Sequence, residues 1–492
     1  MKYFSTRGKN NIVSAAQAIV QGLAADGGLF IPETIPSITK TEIEALCKSD
    51  YRERAISIMG MYLDEFTADE LRGYVKDAYS DNYDCAEVAP THFLDDNTGV
   101  LELWHGPTCA FKDMALQMLP HLLTASLKKL GETRNVCILV ATSGDTGKAA
   151  LEGFADVEGT SIVVFYPRDG VSDVQKLQMT TQSGKNVFVS AVEGNFDDAQ
   201  TGVKNIFGDR DFAKFLDSRG YFLSSANSIN WGRLLPQIVY YFSAYCDYVN
   251  SGKISIGEEI DFCVPTGNFG DILAGWYAKK MGLPIRNLIC ASNRNNVLTD
   301  FINTGVYDRN REFFTTISPS MDILISSNLE RLLFMLSDDT SVKSWMNELK
   351  TSGKYNVGEK VLSEIQADYT CGCTTDEEAK LFINNLYKNA GYLMDTHTAD
   401  AYAVLTEKRK TEKAFPTVVV STASPFKFCD SVLDALGEDS SRPGAELIAK
   451  LAAVTGEAPL KPLTGIGGRE VRFKSCVAME NMPDVVFDFL AK

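Results

Sequence analysis

Short, continuous runs of apolar residues constrain the fold of this chain more than any other feature of its sequence. The runs occupy residues 136–141, 161–166, 187–191, 262–264, 288–291 and 417–421. Uninterrupted apolar runs of this length are typical of parallel strands that are covered on both faces of a sheet. Helical patterns follow several runs after a glycine turn, as in residues 271–281 after Gly270. This alternation of strand, turn and helix predicts an α/β fold.

Two regions lack this alternation, and they indicate how the chain is divided. Residues 1–90 carry helical patterns at 14–23 and 41–46 with a turn at 25–28, which predicts a separate, mostly helical N-terminal domain. Residues 91–440 then form an α/β core of two lobes, in which the polar stretch from about 295 to 395 is a helical insertion. Residues 441–492 are expected to pack on that core as a C-terminal segment. A length of 492 residues is consistent with two or three domains.

The net charge and the cysteine content exclude several classes of protein. A formal net charge of −16 disfavours binding to nucleic acid or to anionic membranes. No run approaches the ~18 apolar residues of a membrane span, and the first residues lack the apolar segment of a signal peptide, so a cytoplasmic location is expected. Among 11 scattered cysteines, only Cys371 and Cys373 stand close together, without the second pair that a zinc site requires. We therefore expect free thiols, no metal site, and neither nucleic-acid nor membrane partners.

The segment His105–Asp113, with the sequence HGPTCAFKD, contains the first candidate for covalent chemistry. A Gly-Pro turn leads into Lys112, which is flanked by Phe111 and an acid. Taken alone, this pattern fits an exposed lysine at the start of a helix better than a reactive one. Lysine becomes a nucleophile only where its surroundings lower its pKa or where a carbonyl cofactor captures it as a Schiff base.

Two glycine-containing segments follow predicted strands and are typical of anion-binding turns. The first, ATSGDTGK at residues 141–148, places hydroxyls and free N–H groups at the start of a helix. A nucleotide-binding P-loop is excluded there, because Thr142 replaces the required first glycine and Ala149 replaces the hydroxyl that binds Mg²⁺. The second, PTGNFGD at residues 265–271, lacks the full glycine spacing of a dinucleotide site and suits a phosphate monoester better. For both segments, an ordinary strand-to-helix turn is the alternative interpretation.

Two further segments combine hydroxyl, amide and basic side chains. Residues 224–233, SSANSINWGR, place Arg233 after Asn227 and Ser228, which suits the capture of a phosphate. A helix cap followed by a solvated arginine fits that segment equally well. Residues 421–428, STASPFKF, place small hydroxyls at the end of a strand, where α/β folds build their sites. Together, one lysine, two anion-binding turns and an arginine cluster imply a small, multiply anionic set of ligands. A lysine-linked phosphorylated aldehyde would satisfy both the Lys112 segment and the turn at residues 265–271, and that description fits pyridoxal phosphate.

The chain resembles the threonine synthase family, which are pyridoxal-phosphate enzymes of fold type II, and within it the longer fungal and enterobacterial branch. The resemblance covers nearly the whole chain, from YFSTRG at residues 3–8 and GLAADGGLFIP at residues 22–32 through all the segments above, in the family's order. It implies the cofactor pyridoxal 5′-phosphate and a fold like that of the tryptophan synthase β subunit, with two α/β lobes.

The resemblance also implies roles for individual residues. Lys112 is expected to carry the cofactor and afterwards to shuttle protons. The remaining cofactor-binding residues are expected to be Phe111, Asp145, the backbone of Gly267, Asn268, Phe269, Gly270 and Asp271, and Thr422 at the pyridine nitrogen. The substrate-binding residues are expected to be Thr142, Ser143, Gly144 and Thr146 for the α-carboxylate, and Asn227, Ser228 and Arg233 for the phosphate. His105 and Lys427 stay undecided between the site and a structural role.

The implied reaction converts O-phospho-L-homoserine and water to L-threonine and phosphate, a β,γ-replacement that ends threonine biosynthesis. The nearest alternative is a phospholyase on the same scaffold, which would release 2-oxobutyrate, ammonia and phosphate. A catalytically silent binding protein is disfavoured by the intact Lys112, the glycine loop and Arg233. The chain is expected to act on this small-molecule substrate as a monomer or homodimer.

Overall fold

The computed structural model describes residues 1–169 and 171–491, and its N-terminal region combines a small sheet with four helices. The elements are β1 (Tyr3–Ser5), β2 (Gly8–Val13), α1 (Ala15–Gln21), β3 (Phe30–Pro32), α2 (Lys40–Cys47), α3 (Tyr51–Gly60) and α4 (Ala68–Ala78). Capping boxes at Ser14, Thr39 and Thr67 begin α1, α2 and α4. The helices predicted at 14–23 and 41–46 are confirmed. The antiparallel strands were not predicted, because β1 and β3 have only three residues each.

The first half of the α/β core alternates strands and helices, as the apolar runs predict. Its elements are β4 (Thr91–Phe93), β5 (Thr98–Glu102), α5 (Asp113–Leu116), α6 (Leu119–Leu130), β6 (Asn135–Ala141), α7 (Asp145–Phe154), β7 (Thr160–Pro167), α8 (Asp173–Thr180), β8 (Val187–Val192), α9 (Phe196–Gly208), α10 (Arg210–Ser218) and β9 (Tyr221–Ser224). Strands β6, β7 and β8 contain the runs 136–141, 161–166 and 187–191, and their apolar side chains are largely buried.

The second half of the core contains the other predicted runs and the helix-rich insertion. Its elements are α11 (Trp231–Asn250), β10 (Ile260–Pro265), α12 (Gly270–Met281), β11 (Ile285–Ser292), α13 (Val297–Thr304), β12 (Val306–Asp308), α14 (Leu329–Met335), α15 (Asp339–Thr351), β13 (Lys354–Asn356), α16 (Gly358–Asp368), β14 (Tyr369–Cys373), α17 (Asp376–Ala390), α18 (Thr396–Lys408), β15 (Thr417–Ser421) and α19 (Cys429–Ala435). The chain ends with α20 (Gly444–Thr455), β16 (Ser475–Val477) and α21 (Met482–Leu490).

The core strands form two sheets whose carboxyl ends carry the candidate segments. The larger sheet has the order β14-β11-β10-β15-β5-β4 and is parallel except for β4. The smaller sheet has the order β16-β8-β7-β6-β9 and is parallel throughout. The predicted α/β class is confirmed. Segments 141–148 and 224–233 leave the smaller sheet, and segments 265–271 and 421–428 leave the larger one, at the ends where parallel sheets bind their ligands.

One strand of the larger sheet lies inside the helix-rich insertion and was not predicted. Strand β14 pairs in parallel with β11 and forms the edge of the sheet. It carries Cys371 and Cys373, the close pair of thiols in the sequence. The run was missed because Thr, Cys and Gly dominate it, instead of the continuous apolar residues of the central strands.

Helix α11 and Arg331 connect the N-terminal region to the core. Helix α11 is buried on nearly all sides and packs against α2, α3, α5 and α12. Arg331 of α14 is fully buried, donates from Nε to Phe30 O at 3.0 Å, and donates from Nη2 to Ile229 O at 2.6 Å. These bonds fix strand β3 against the turn that precedes α11. Within the described residues, no helix has the length and apolar content needed to cross a membrane.

Candidate active site

The turn that carries Lys112 is fixed by hydrogen bonds at both ends. Asp113 is fully buried, and its carboxylate accepts from Thr108 Oγ1 at 2.7 Å and from Thr108 N at 2.8 Å. Phe111 N donates to Thr422 O at 2.8 Å, which joins the turn to the end of β15. Burial raises the pKa of Asp113 to about 6. Lys112 therefore stands on a rigid support at the carboxyl ends of β5 and β15.

The amino group of Lys112 lies in a nearly enclosed position among three groups. Its Nζ is 3.6 Å from Asp145 Oδ2, 3.4 Å from Ser320 Oγ and 4.7 Å from the centre of the Phe111 ring. Burial lowers the pKa of Lys112, an effect that Asp145 opposes and that the charge of Lys427 reinforces. A buried amine with a lowered pKa is neutral more often than an exposed one and reacts more readily with a carbonyl group.

Asp145 lies at the first position of α7 and holds two lysines together. It accepts from Gln175 Nε2 at 2.8 Å, and its Oδ1 lies 2.6 Å from the Nζ atom of Lys427, whose side chain is fully buried. Lys427 also donates to Thr108 O at 2.9 Å. Burial alone would raise the pKa of Asp145, but Lys427 and Lys112 hold it below its usual range. Lys427, which the sequence left undecided, is thus the closest cation to this carboxylate.

The turn at residues 142–147 exposes N–H groups at the start of α7. Thr142 is buried, and its Oγ1 accepts from Gly144 N at 3.0 Å and from Gly147 N at 2.9 Å. This hydroxyl shapes the turn from inside, whereas Ser143 and Thr146 are partly exposed. Gly144 has a φ of +134°, and a Cβ there would lie 2.4 Å from the Gln175 side chain, so only glycine fits. Among the described residues, the N–H groups of Ser143, Asp145 and Thr146 have no acceptor.

The loop at residues 266–271 provides a second set of N–H donors at the start of α12. No acceptor within the described chain pairs with the N–H groups of Gly267 to Asp271. Phe269 adopts the left-handed region with a φ of +63°, a conformation found in backbone turns that bind anions. The Asp271 side chain points away from the loop, because its Oδ1 accepts from Tyr240 at 2.6 Å and Tyr241 at 2.8 Å. The five residues predicted to bind the cofactor here therefore offer backbone N–H donors, and the Asp271 carboxylate takes no part.

Arg233 is a buried guanidinium with few partners. It is 3% exposed, its Nη1 donates to Ala226 O at 2.9 Å, and its Nε has no hydrogen-bond partner. No described carboxylate forms an ion pair with it, and burial lowers its pKa to about 10. Asn227 and Ser228 lie partly exposed in the turn before α11, and Asn230 caps that helix. A buried guanidinium without a counter-ion is suited to an anionic ligand.

His105 lies outside this cluster and holds the entry of the Lys112 turn in place. Its Nδ1 is 2.6 Å from Asp84 Oδ1 and its Nε2 is 2.9 Å from Glu102 Oε2. Although burial opposes protonation, the hydrogen bonds that the imidazole donates to Cys85 and Glu102, together with the charge of Asp84, raise the pKa of His105 to about 10. Asp84, Cys85 and His105 also have donor atoms within 4.8 Å of one another, a spacing compatible with a metal ion. A charged imidazole between two carboxylates balances these charges without one.

Three residues near Lys112 were not found from the sequence. Ser320 contacts its amino group, and His397, which is paired with the buried Asp395, accepts from the backbone N–H of Ser320. Ser320 belongs to the polar insertion, and His397 is a single histidine within helix α18. Only the tertiary fold brings them to the site, so no local pattern in the sequence could identify them.

The assembled site suits a phosphorylated carbonyl compound beside an anionic substrate. A buried, reactive amine lies between two turns with unpaired N–H groups, and an unpaired guanidinium lies close enough to lower the pKa of that amine. Each turn is at the start of a helix with the positive end of its dipole. In the described part of the chain, those N–H groups of the two turns have no acceptor, and Arg233 has no carboxylate partner.

Comparisons with known proteins agree with this geometry. Three family models match the chain: threonine synthase N terminus at residues 2–79, pyridoxal-phosphate dependent enzyme at residues 100–423, and threonine synthase, C-terminal at residues 398–458. Threonine synthase of Saccharomyces cerevisiae is 39% identical, with 88% of this chain and 89% of that protein covered. A structure of PLP-bound threonine synthase from Brucella melitensis superposes with a TM-score of 0.86 and 39% identity, covering 100% of this chain and 98% of that one.

A human relative differs in length. Threonine synthase-like 1 of Homo sapiens is 43% identical over 433 residues, which are 86% of this chain but 58% of the human protein. The chain therefore spans somewhat more than half the length of the threonine synthase-like 1 proteins that it matches.

Proposed function

The chain belongs to the threonine synthase family of pyridoxal-phosphate-dependent enzymes, and from that premise we propose that it converts O-phospho-L-homoserine and water to L-threonine and phosphate. The observation that carries this proposal is Arg233, a buried guanidinium that has no carboxylate partner among the described residues and whose charge lowers the pKa of Lys112. A phosphate ester on the substrate would supply the missing negative charge. An amino-acid substrate without a phosphate would leave this charge unpaired.

The residues present fit the cofactor of the family. Lys112 supplies the amine for covalent attachment, and the unpaired N–H groups from Gly267 to Asp271 supply donors for a phosphate. Thr422 directly follows β15, and its carbonyl oxygen accepts from Phe111 N in the turn that carries Lys112. Its neutral hydroxyl would contact the ring nitrogen of the cofactor. When bound, pyridoxal phosphate delocalises the negative charge that develops on the substrate carbons.

The turn at residues 143–146 is assigned to the substrate carboxylate. Ser143 and Thr146 are partly exposed, and the N–H groups of Ser143, Asp145 and Thr146 converge at the positive end of α7. Thr142 is assigned a supporting role, since its hydroxyl already accepts from two N–H groups of the turn. Asn227, Ser228 and Arg233, in the turn before α11 and in its first residues, are assigned to the substrate phosphate.

Lys112 is assigned the proton transfers at the substrate carbons. Its lowered pKa makes the free amine available as a base more often than that of an exposed lysine, and Asp145 stabilises the ammonium form after a proton is taken up. Lys427 keeps Asp145 ionised, so that this stabilisation is always present. The same amine is assigned the return of the proton to another carbon, because a base held close to its substrate acts at a high effective concentration.

The test is a product balance for the full-length protein. Cofactor-loaded protein is incubated with O-phospho-L-homoserine, and threonine, 2-oxobutyrate and inorganic phosphate are quantified together. Threonine equal to phosphate supports the proposal, whereas 2-oxobutyrate equal to phosphate would make the protein a phospholyase. If no phosphate is released and neither threonine nor 2-oxobutyrate forms, the assignment of Arg233 to a substrate phosphate is wrong.

Two substitutions sharpen this test. Lys112→Ala should abolish turnover, since it removes both the cofactor link and the base. Arg233→Met should raise the KM for O-phospho-L-homoserine by roughly 100-fold, the usual loss for a buried charge-assisted pair. Arg72→Met is the matched control, because Arg72 is an exposed arginine of α4 with only surface ion pairs.

A further inference from the structure

A buried aspartate–histidine pair reaches the amino group of Lys112 through one serine. Asp395 is fully buried and caps the start of α18, where its carboxylate accepts from Thr398 N at 3.1 Å. The His397 ring, 2% exposed, places Nδ1 2.7 Å from Asp395 Oδ2. On its other side, His397 Nε2 accepts from Ser320 N at 3.1 Å. Ser320 Oγ in turn lies 3.4 Å from Lys112 Nζ.

These contacts fix the protonation of the imidazole. A backbone N–H can only donate, so Nε2 of His397 must be the unprotonated nitrogen where it faces Ser320. In a neutral ring the proton is then on Nδ1, where the carboxylate of Asp395 accepts it. The aspartate thus selects the tautomer that can hold the Ser320 backbone.

Ser320 links the two halves of the cofactor-binding region. A Cβ added to Gly267 would lie 2.5 Å from Ser320 O, so the serine backbone packs directly against the glycine loop. Its hydroxyl reaches Lys112 from the same position. A displacement of Ser320 would therefore affect both the phosphate donors of the loop and the surroundings of the amine.

We propose that Asp395 and His397 are positioning residues that hold Ser320 against Lys112, and that the Ser320 hydroxyl helps to orient the amino group for proton transfer. This inference rests on the proposed function, because the role of Ser320 is defined by the chemistry assigned to Lys112. It adds Ser320 as a contact residue and the buried pair as its support, none of which belongs to the sequence motifs.

Asp395→Asn distinguishes the two roles of Asp395, which caps helix α18 and also selects the tautomer of His397. Asparagine is as good a helix cap as aspartate, so α18 should still form. Its amide group, however, donates toward Nδ1, which moves the ring proton to Nε2, where it opposes the N–H of Ser320. We expect kcat to fall by on the order of ten- to a hundredfold, while the KM for the substrate changes by less than about threefold.

A second measurement follows the reactivity of the Lys112 amine as a function of pH, without any enzymatic turnover. Full-length protein without cofactor is acetylated with acetic anhydride across a range of pH, and modification of Lys112 is quantified by peptide mass spectrometry. The charged groups that face this amine are Asp145, Lys427, Arg233 and Asp271. All four are unchanged in Asp395→Asn. Loss of the Ser320 acceptor should lower the midpoint of labelling by about half a pH unit.

Three further variants complete the test. Ser320→Ala should reproduce the lowered midpoint with Asp395 intact. His397→Gln keeps an acceptor for the Ser320 N–H and should stay near wild type, whereas His397→Phe should behave like Asp395→Asn. Asp338→Asn changes an exposed helix cap of α15 and is the matched control.

The outcomes distinguish this inference from the proposed function. Unchanged kcat and labelling in both Asp395→Asn and Ser320→Ala would overturn the inference even if the wild type makes threonine. Equal impairment of His397→Gln and His397→Phe would also overturn it, because the acceptor would then be irrelevant. A shifted midpoint in a protein that makes no threonine would support the positioning of Lys112 and reject only the proposed reaction.

Discussion

Removal of the charge of Arg233 should stabilise the protein in the absence of ligand. Burial lowers the pKa of Arg233 to about 10, and no described carboxylate compensates for that burial. A lowering of this size, at about 1.4 kcal/mol for each pKa unit, corresponds to a penalty of about 3 kcal/mol in the free energy of unfolding. The hydrogen bond to Ala226 O returns about 1 kcal/mol. Arg233→Met should therefore gain about 2 kcal/mol.

The pH dependence follows from the direction of the pKa shift. The folded-state pKa lies below that of the unfolded chain, so the charged form is the one that folding disfavours. The penalty is fully present below a pH of about 10 and is relieved only as the pH rises through that value. At neutral pH the whole difference between Arg233 and methionine should be measurable.

The assay is urea denaturation with and without inorganic phosphate. Phosphate at 100 times its dissociation constant should stabilise the wild type by about 2.7 kcal/mol, which reverses the order of the two proteins. Arg233→Met should respond to phosphate only as far as the salt stabilises folded proteins in general. The reasoning would be refuted if the variant were less stable than wild type without phosphate, or if both responded to phosphate equally.

Three other expectations concern the same cluster. Lys427→Met should destabilise the protein by about 3 kcal/mol, because it leaves Asp145 buried without its closest cation, and adding Asp145→Asn should recover most of the loss in the same denaturation assay. If the double variant is no more stable than the single one, the ion pair is not the cause. Gly267→Ala would place a methyl 2.5 Å from Ser320 O, so cofactor affinity measured by equilibrium dialysis should fall at least about tenfold, and wild-type affinity would contradict the packing. Because burial lowers the pKa of Lys112, covalent cofactor attachment, trapped by borohydride, should be half-maximal at a pH below the ~10.4 of an ordinary lysine. A half-maximum at or above that pH would falsify the assignment.

The sequence predicted the central strands because their signal is local. Each apolar run lies in a strand that is covered on both faces of its sheet. Consecutive residues of such a strand are therefore apolar, and this pattern is visible in the sequence alone. Strand β14 was not predicted, because a strand at the edge of a sheet is less buried and does not need a continuous apolar run. Thr370, Gly372 and the two thiols beside them therefore occupy most of it. The N-terminal strands escaped because three residues are too few to show a pattern.

The candidate site divides in the same way. The segments around Lys112, Gly144 and Gly267 were recognisable because a turn and a helix start lie within a few residues of each other. The ion pair between Asp145 and Lys427 joins segments that are far apart in the chain, so no local pattern of residues could pair them. Only the three-dimensional structure identifies that contact, because it alone shows that both side chains are buried and that they lie next to each other.

The position of β15 has a consequence for the order in which the protein is made. This strand lies between β5 and β10, although it emerges from the ribosome more than 300 residues after β5. Until then the facing edges of β5 and β10 have no partner, and unpaired strand edges favour aggregation. The nascent chain should therefore depend on chaperones for most of its synthesis. Because Phe111 N bonds to Thr422 O, the lysine turn should acquire its final geometry only when that late strand inserts.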